Sequence, residues 1–300
     1  MAFLSGITEG DKLKKNRYLY SGINFCVIVL TAVFFLYGFS DSLSIFCKGS
    51  LPGILIVICT VILVHALKLS RLYFALYDTG IGFRAYLKTY CKVTPVSIVF
   101  PFKIGELFRI YCYSVQIGNA LKGTVIILLD RFIDTIALLT MLLFAFAFEN
   151  GQSMPIVYIL LGFTLIGILI YLLFPGIYHF WKRYLLRADA SEHKLWALKG
   201  LEDANTVYME IAGVAKGRGA VLYFLSLLAW GVEIGSIVLV SRFEAGSGAR
   251  GQISQYLSAA LGIDSSPELS RFIVISVIGL ILLYLGIKFR EVFQGRRQNR

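Results

Sequence analysis

The chain has 300 residues, of which 57% are hydrophobic and only 16% charged, with a mean hydropathy of +0.74. Soluble domains carry about 25% charged residues, so this balance excludes an ordinary soluble enzyme and points to an integral membrane protein. The formal charge of +11 does not require nucleic acid as a partner, because the basic residues sort by membrane side once the spans are placed.

Six segments are long enough, or nearly so, to cross a bilayer. The first, Tyr18–Tyr37, lies in an uncharged run behind a polar lead, which fits a retained span better than a cleaved signal peptide. Leu51–Leu67, Gly123–Phe148, Pro155–Pro175, Ala220–Ser241 and Phe272–Ile287 follow. The last rises only ~24 Å and needs its flanks or a locally thinned bilayer. With so many spans, 300 residues leave room for one transmembrane domain and no separate soluble catalytic domain. The expected fold is an all-α polytopic bundle of six to eight helices.

Charge orients that bundle. Of the 29 basic residues, 24 fall on the side of the two termini and of the loops Lys68–Lys122 and Gly176–Gly219. Four fall on the opposite side and Arg131 lies within a span. This bias places both termini in the cytoplasm and Cys47 outside. The five cysteines show neither CxxC nor zinc-ligand spacing, and Cys47 lacks a disulfide partner on its side.

Two regions fit neither a span nor a solvated loop. Val93–Leu121 is too apolar for a loop, yet Pro95 and Pro101 discourage one continuous helix. A pair of half-helices resolves the conflict, because broken backbone at membrane depth survives where protein or a watery cavity surrounds it. A full second hairpin, giving eight spans, has the same sidedness. The other region, 246–267, opens on Gly246, Gly248 and Gly251 and continues with Ile253, Tyr256, Leu257, Ala260 and Leu261 at helical spacing up to Pro267. It reads either as a matching half-helix, as in an inverted-repeat transporter, or as an amphipathic helix on the outer surface. The loop Gly176–Gly219 holds a further amphipathic pattern (Leu195, Leu198, Leu201, Tyr208, Ile211) behind Lys182, Arg183 and Arg187, expected to lie on an anionic leaflet.

The informative residues are charges inside apolar sequence. A charge near the centre of a spanning helix costs roughly 2.5–3.5 kcal/mol on insertion scales. Glu106 and Arg109 are three apart and share a helix face, with Gly105 permitting a close backbone approach just before them. Arg131 and Asp134 can pair in the same way. Asp130 either belongs with them or, together with Arg131, marks the cytoplasmic end of its helix. Asp134 falls ~16 Å beyond Gly123, near the middle of a ~30 Å core. Glu233 lies so deep in its span that no sliding exposes it, and Arg109 and Arg131 are its candidate partners. His65, near the inner end of its span, reads as interfacial rather than as a proton relay. No H-E-x-x-H, G-x-S-x-G or P-loop is present, so no catalytic residue, metal or cofactor is assigned. Arginines flanked by carboxylates suit a phosphate headgroup, which guanidinium can grip at two points.

These residues resemble the transmembrane, flippase-like region of the lysylphosphatidylglycerol synthetases and their free-standing relatives. That family carries a proline, a Gly-Glu pair and an arginine, then an Arg-x-x-Asp at the head of a span. Here they are Pro101, Gly105, Glu106, Arg109, Arg131 and Asp134. The likeness covers Tyr86 to Phe148. A proline- and glycine-rich motif with a glutamate, common in the family's second half, has no match in Gly262–Pro267. The resemblance implies a protein moving an anionic phospholipid or a polyprenyl-linked lipid between leaflets, without the synthetases' soluble domain. Glu106, Arg109, Asp130, Arg131, Asp134 and Glu233 would then line the path. Two rivals stand beside it. One is a transferase or hydrolase using Glu106 or Asp134 as base. The other is a membrane partner presenting lipid to a separate synthetase or glycosyltransferase.

Overall fold

A computed structural model describes residues 17–39, 51–100, 104–148, 155–187, 192–242, 249–260 and 266–298. Among these residues every regular element is helical. In chain order they are α1 (Arg17–Gly38), α2 (Leu51–Ala75), α3 (Phe83–Val99), α4 (Ile104–Ile117), α5 (Ala120–Phe148), α6 (Pro155–Arg187), α7 (Glu192–Val240), α8 (Ala249–Ala260) and α9 (Pro267–Gln298). Four of them (α2, α6, α7 and α9) are long and apolar enough to cross a membrane. α1 contributes a shorter apolar run, Gly22–Gly38. α5 has 29 residues and is as apolar as the others over its length, although it carries Asp130, Arg131 and Asp134. The molecule is an all-α, multi-pass membrane bundle.

α7 is the hub, packing on α2, α5, α6 and α8, while α3 joins α4, α9 and α1. Two apolar clusters fill the interior. One gathers Leu72, Tyr86, Tyr90, Tyr113, Ile126, Ile127 and Leu222 around α3 and α4. The other gathers Ala137, Leu142, Trp230, Tyr256 and Leu257 where α5, α7 and α8 meet. Large apolar side chains on the outside, such as Phe25, Ile159 and Leu282, are more than three-fifths exposed, as a hydrocarbon-facing surface requires.

Local chemistry sets the breaks. Phe100, the residue before Pro101, has φ −72° and ψ 128°, because the proline ring denies its predecessor the helical region. Helix α3 ends there. Pro95, by contrast, sits inside α3, so only one of the two prolines interrupts the backbone. Pro101 lies outside the described residues. Gly118, at φ +75°, ends α4 in the left-handed region that glycine tolerates, and its N–H donates to the Ser114 carbonyl at 2.9 Å. Asn119 then starts α5 by accepting the Lys122 backbone N–H on its side chain at 2.9 Å.

Two glycines bring helices into backbone contact. A Cβ on Gly105 would stand 2.5 Å from Ser97 Cα and 2.6 Å from the Val96 carbonyl, so α4 touches α3 at that point. A Cβ on Gly123 would stand 2.7 Å from Ser114 Cα, which joins α5 to α4 equally closely. The fold of 104–134 is therefore a tight zigzag of helices.

Two expectations about shape change. The amphipathic pattern of 195–211 is not a separate surface helix but the first half of the 49-residue α7, continuous with its spanning half. The stacked rings of Phe174 and Tyr208, with centroids 5.0 Å apart, hold that half against α6. In the second broken region, α8 is not a surface helix either. Tyr256, Leu257, Ser258 and Ala259 are all less than a tenth exposed, packed between α7 and α9.

Candidate functional site

Arg71 is the centre of the site. It lies on α2 with its side chain 1% exposed. Its Nε donates to Asp130 Oδ1 at 2.7 Å and its Nη2 to Oδ2 at 3.1 Å, a two-point grip on α5. Its Nη1 donates to Asp134, one turn along α5, and to Ser226 Oγ of α7 at 2.7 Å. One guanidinium thus ties three helices, and the aspartates supply the counter-charge that a buried cation needs.

Arg131 approaches Asp130 from the other side. Its Nη2 and Nε donate to Asp130 Oδ2 at 2.7 and 3.2 Å. Its Nη1 stands 3.8 Å from Glu106 and 3.7 Å from Asp134, beyond hydrogen-bond reach, so those donors remain available. The side chain is 32% exposed against 0% for Asp130, which makes Arg131 the opening of the cluster.

Glu106 and Arg109 complete it from α4. Glu106 Oε1 accepts the Ser97 hydroxyl at 2.5 Å, a contact that the glycine at 105 allows by letting α4 close on α3. Glu106 Oε2 and Arg109 Nε are buried without a hydrogen bond among the described residues. Arg109 is 4% exposed, and its nearest carboxylates, Glu106 and Asp130, are 3.7 and 3.9 Å away. A guanidinium this buried and this loosely paired has donors to offer an anion. Tyr86, Tyr90 and Tyr113, each no more than 1% exposed, lie within electrostatic reach of Arg109.

A second group adjoins the first through α2. Lys68 precedes Arg71 by one turn, and its Nζ donates to Glu233 Oε1 at 2.6 Å. Tyr256 of α8 donates to Oε2 of the same carboxylate at 2.9 Å. The Lys68 ammonium also lies 5.5 Å from the Trp230 ring centroid and 5.9 Å from that of Phe272, within cation–π range. Four cations (Lys68, Arg71, Arg109, Arg131) therefore face four carboxylates (Glu106, Asp130, Asp134, Glu233).

Glu106, Arg109, Asp130, Arg131 and Asp134 thus stand in one network. Glu233 does not join them directly, and its base is Lys68, neither Arg109 nor Arg131. Asp130 is no helix-end marker, because α5 begins ten residues earlier at Ala120 and Asp130 is 1% exposed. Lys68 and Arg71, assigned by the sequence to an inner loop, belong to the bundle interior. Their signal was present: Leu69, Leu72, Tyr73, Phe74 and Ala75 continue the apolar pattern past them. His65 is also interior rather than interfacial, with Nδ1 3.2 Å from the Tyr90 hydroxyl. Among the described residues no group of three or more His, Cys, Asp or Glu is placed to hold a metal ion.

Residues 24–244 match the family model described as the lysylphosphatidylglycerol synthase TM region. The match spans well over half of the chain and contains all eight charged residues of the site, so the chain belongs to this family. No curated protein and no solved structure matches it.

Proposed function

From that membership we propose that the chain is a lipid translocator, moving a phospholipid or a lipid-linked saccharide between leaflets of the cell membrane without altering it. The family ties the chain to lipid modification or flipping. The observation that most favours movement is the asymmetry of the ion cluster. Seven of its charges are paired within the bundle or shielded there, while Arg131 keeps an unbonded Nη1 and a third of its side chain open. A lipid phosphate would dock on Arg131 and compete for Arg109, whose Nε is unpartnered. Balanced charge lowers the cost of holding such a site in hydrocarbon, and acyl chains would stay in the bilayer as the headgroup passes.

In this reading α3–α4 and α8 are the broken segments on which one half of the bundle rocks against the other. The termini lie on the cytoplasmic side, and a separate synthetase or glycosyltransferase would supply the lipid. The test is reconstitution of the protein alone into liposomes with labelled anionic phospholipid or polyprenyl-linked lipid. Dithionite quenching of the label reports leaflet exchange, and mass spectrometry reports whether the recovered lipid is intact. Exchange of unchanged lipid supports translocation. Altered lipid without exchange would identify an enzyme. Neither, across several headgroups, would leave a lipid-presenting partner protein.

A further inference from the structure

Away from the charged site, the basic end of α6 bears an open cavity of about 740 Å³ lined by Gly176, His179, Phe180, Arg183, Tyr184 and Arg187. Their three- and four-residue spacing puts them on one stripe of the helix. The neighbouring stripe is already committed to α7: Lys182 donates to Glu202 at 2.7 Å, and Tyr178 donates to the same carboxylate at 3.0 Å. Arg183 and Arg187 have no ion pair or hydrogen bond among the described residues, and all six lining residues are exposed. Phe180 and Tyr184 are 66% and 58% exposed beside them. Two guanidinium groups with no counter-charge among the described residues, and two exposed rings each edge-on to Trp181, form a surface that is neither a plain solvated face nor a plain apolar one.

Depth says what such a surface meets. The apolar span of α6 begins at Val157. At 1.5 Å per residue Gly176 comes ~29 Å further on, where a ~30 Å hydrocarbon core ends. Arg183 comes at ~39 Å, or ~37 Å with a tilt of about 20°, at the outer edge of the headgroup layer. Arg187 lies one turn further out, from where its long side chain reaches back to the phosphates. We propose that this stripe is a binding site for one anionic phospholipid of the adjoining leaflet, separate from the transport site. Arg183 and Arg187 take the phosphate, while Phe180 and Tyr184 pack on the glycerol and the first acyl carbons. Gly176 leaves space at the hydrocarbon edge for those carbons to descend.

Native mass spectrometry of the purified full chain, titrated with phosphatidylglycerol or phosphatidylcholine, tests this. Besides any lipid at the Arg131 cluster, wild type should hold one phosphatidylglycerol that it does not exchange for phosphatidylcholine, counted as the adduct that remains in Arg131→Ala. R183Q/R187Q should bind it about thirtyfold more weakly, since each charge near an anionic headgroup contributes about fivefold. R183K/R187K, which keeps both charges, should retain most of the binding and shows that loss in the glutamine variant is not misfolding. Arg131→Ala should keep the adduct, because the site lies elsewhere. Excess inorganic phosphate should not displace it, lacking the apolar half. Equal binding by wild type and R183Q/R187Q, no preference for the anionic lipid, loss in Arg131→Ala, or displacement by phosphate would each overturn the assignment.

Discussion

Arg71 and Asp130 face each other across α2 and α5 as a two-point ion pair with side chains 1% and 0% exposed. Neither has water to fall back on, so each is the other's solvent. Arg71 also reaches Asp134 and Ser226, and Asp130 also accepts from Arg131. The pair is the structural keystone of a network whose outer member, Arg131, is open.

That burial predicts a steep cost for breaking the pair from one side. Arg71→Ala or Asp130→Ala should each destabilise the protein by about 3–5 kcal/mol, because the remaining charge stays buried and uncompensated. Replacing both, Arg71→Met with Asp130→Leu, should recover much of the loss, since Arg131 and Asp134 can still pair with each other. Thermal unfolding in detergent measures all three. A double variant no more stable than the singles would mean that packing, rather than charge balance, fixes the site.

The zigzag of α3, α4 and α5 makes a separate prediction about backbone contact. Gly105→Ala forces a Cβ to within 2.5 Å of Ser97 Cα, and Gly123→Ala to within 2.7 Å of Ser114 Cα. Overpacking of this kind costs about 1–3 kcal/mol, and the helices must part to relieve it. Gly162→Ala, with nothing within 4 Å of the new carbon, should be neutral or slightly stabilising. Unfolding midpoints of the three variants give the comparison. Equal tolerance at 105 and 162 would refute the close approach of α4 to α3.

Much of this was legible in the sequence because burial of charge is so costly in a membrane. Glu106, Arg109, Arg131 and Asp134 could be singled out from their apolar surroundings alone. Of the two prolines expected to discourage a continuous helix, the break comes before Pro101, while Pro95 stays helical. Lys68 and Arg71 were missed because charges near the end of an apolar run ordinarily mark the membrane boundary. The apolar residues Leu69 to Ala75 continue past them, and the packing of α2 against α7 decides that the helix carries both cations into the interior. The partner of Glu233 was beyond sequence reasoning for a related reason: Lys68 is 165 residues away, and no local spacing links them. The continuity of α7 escaped as well. Gly219 reads as the boundary between a loop and a span beginning at Ala220, yet one helix runs from Glu192 to Val240.

The Glu233 group separates a charge contact from a hydroxyl contact. Tyr256→Phe removes one hydrogen bond to a charged acceptor and should cost about 1.5–3 kcal/mol while leaving the Lys68 pair intact. Glu233→Gln removes the counter-charge of Lys68 and should cost more, of the order of 3–5 kcal/mol. Lys68→Met in the Glu233→Gln background should recover part of that loss. Because α8 contacts the site through Tyr256, hydrogen exchange over 249–260 should rise in Tyr256→Phe. Unchanged exchange there would show that α8 is held by its apolar contacts alone.

Arg131 carries the test of function. It is the most exposed member of the Arg131–Asp130–Glu106–Asp134 set, and its Nη1 forms no hydrogen bond there, so its removal leaves Arg71 to balance Asp130. Arg131→Ala loses its two hydrogen bonds to Asp130 and should cost about 1.5–3 kcal/mol of stability, less than Arg71→Ala, while staying folded. It should exchange labelled phospholipid at least about tenfold more slowly than wild type, the loss of one charge-assisted phosphate contact of similar size. Arg131→Lys keeps the charge but not the two-point fork, and should fall between the two. Asp134→Asn probes the same opening with the opposite sign. It takes a carboxylate from beside Arg131 and should leave exchange less impaired than Arg131→Ala. If Arg131→Ala exchanges lipid at the wild-type rate while folded, the phosphate does not pass this residue. If it instead fails to fold, Arg131 belongs to the scaffold with Arg71, and the open face of the cluster is not the route.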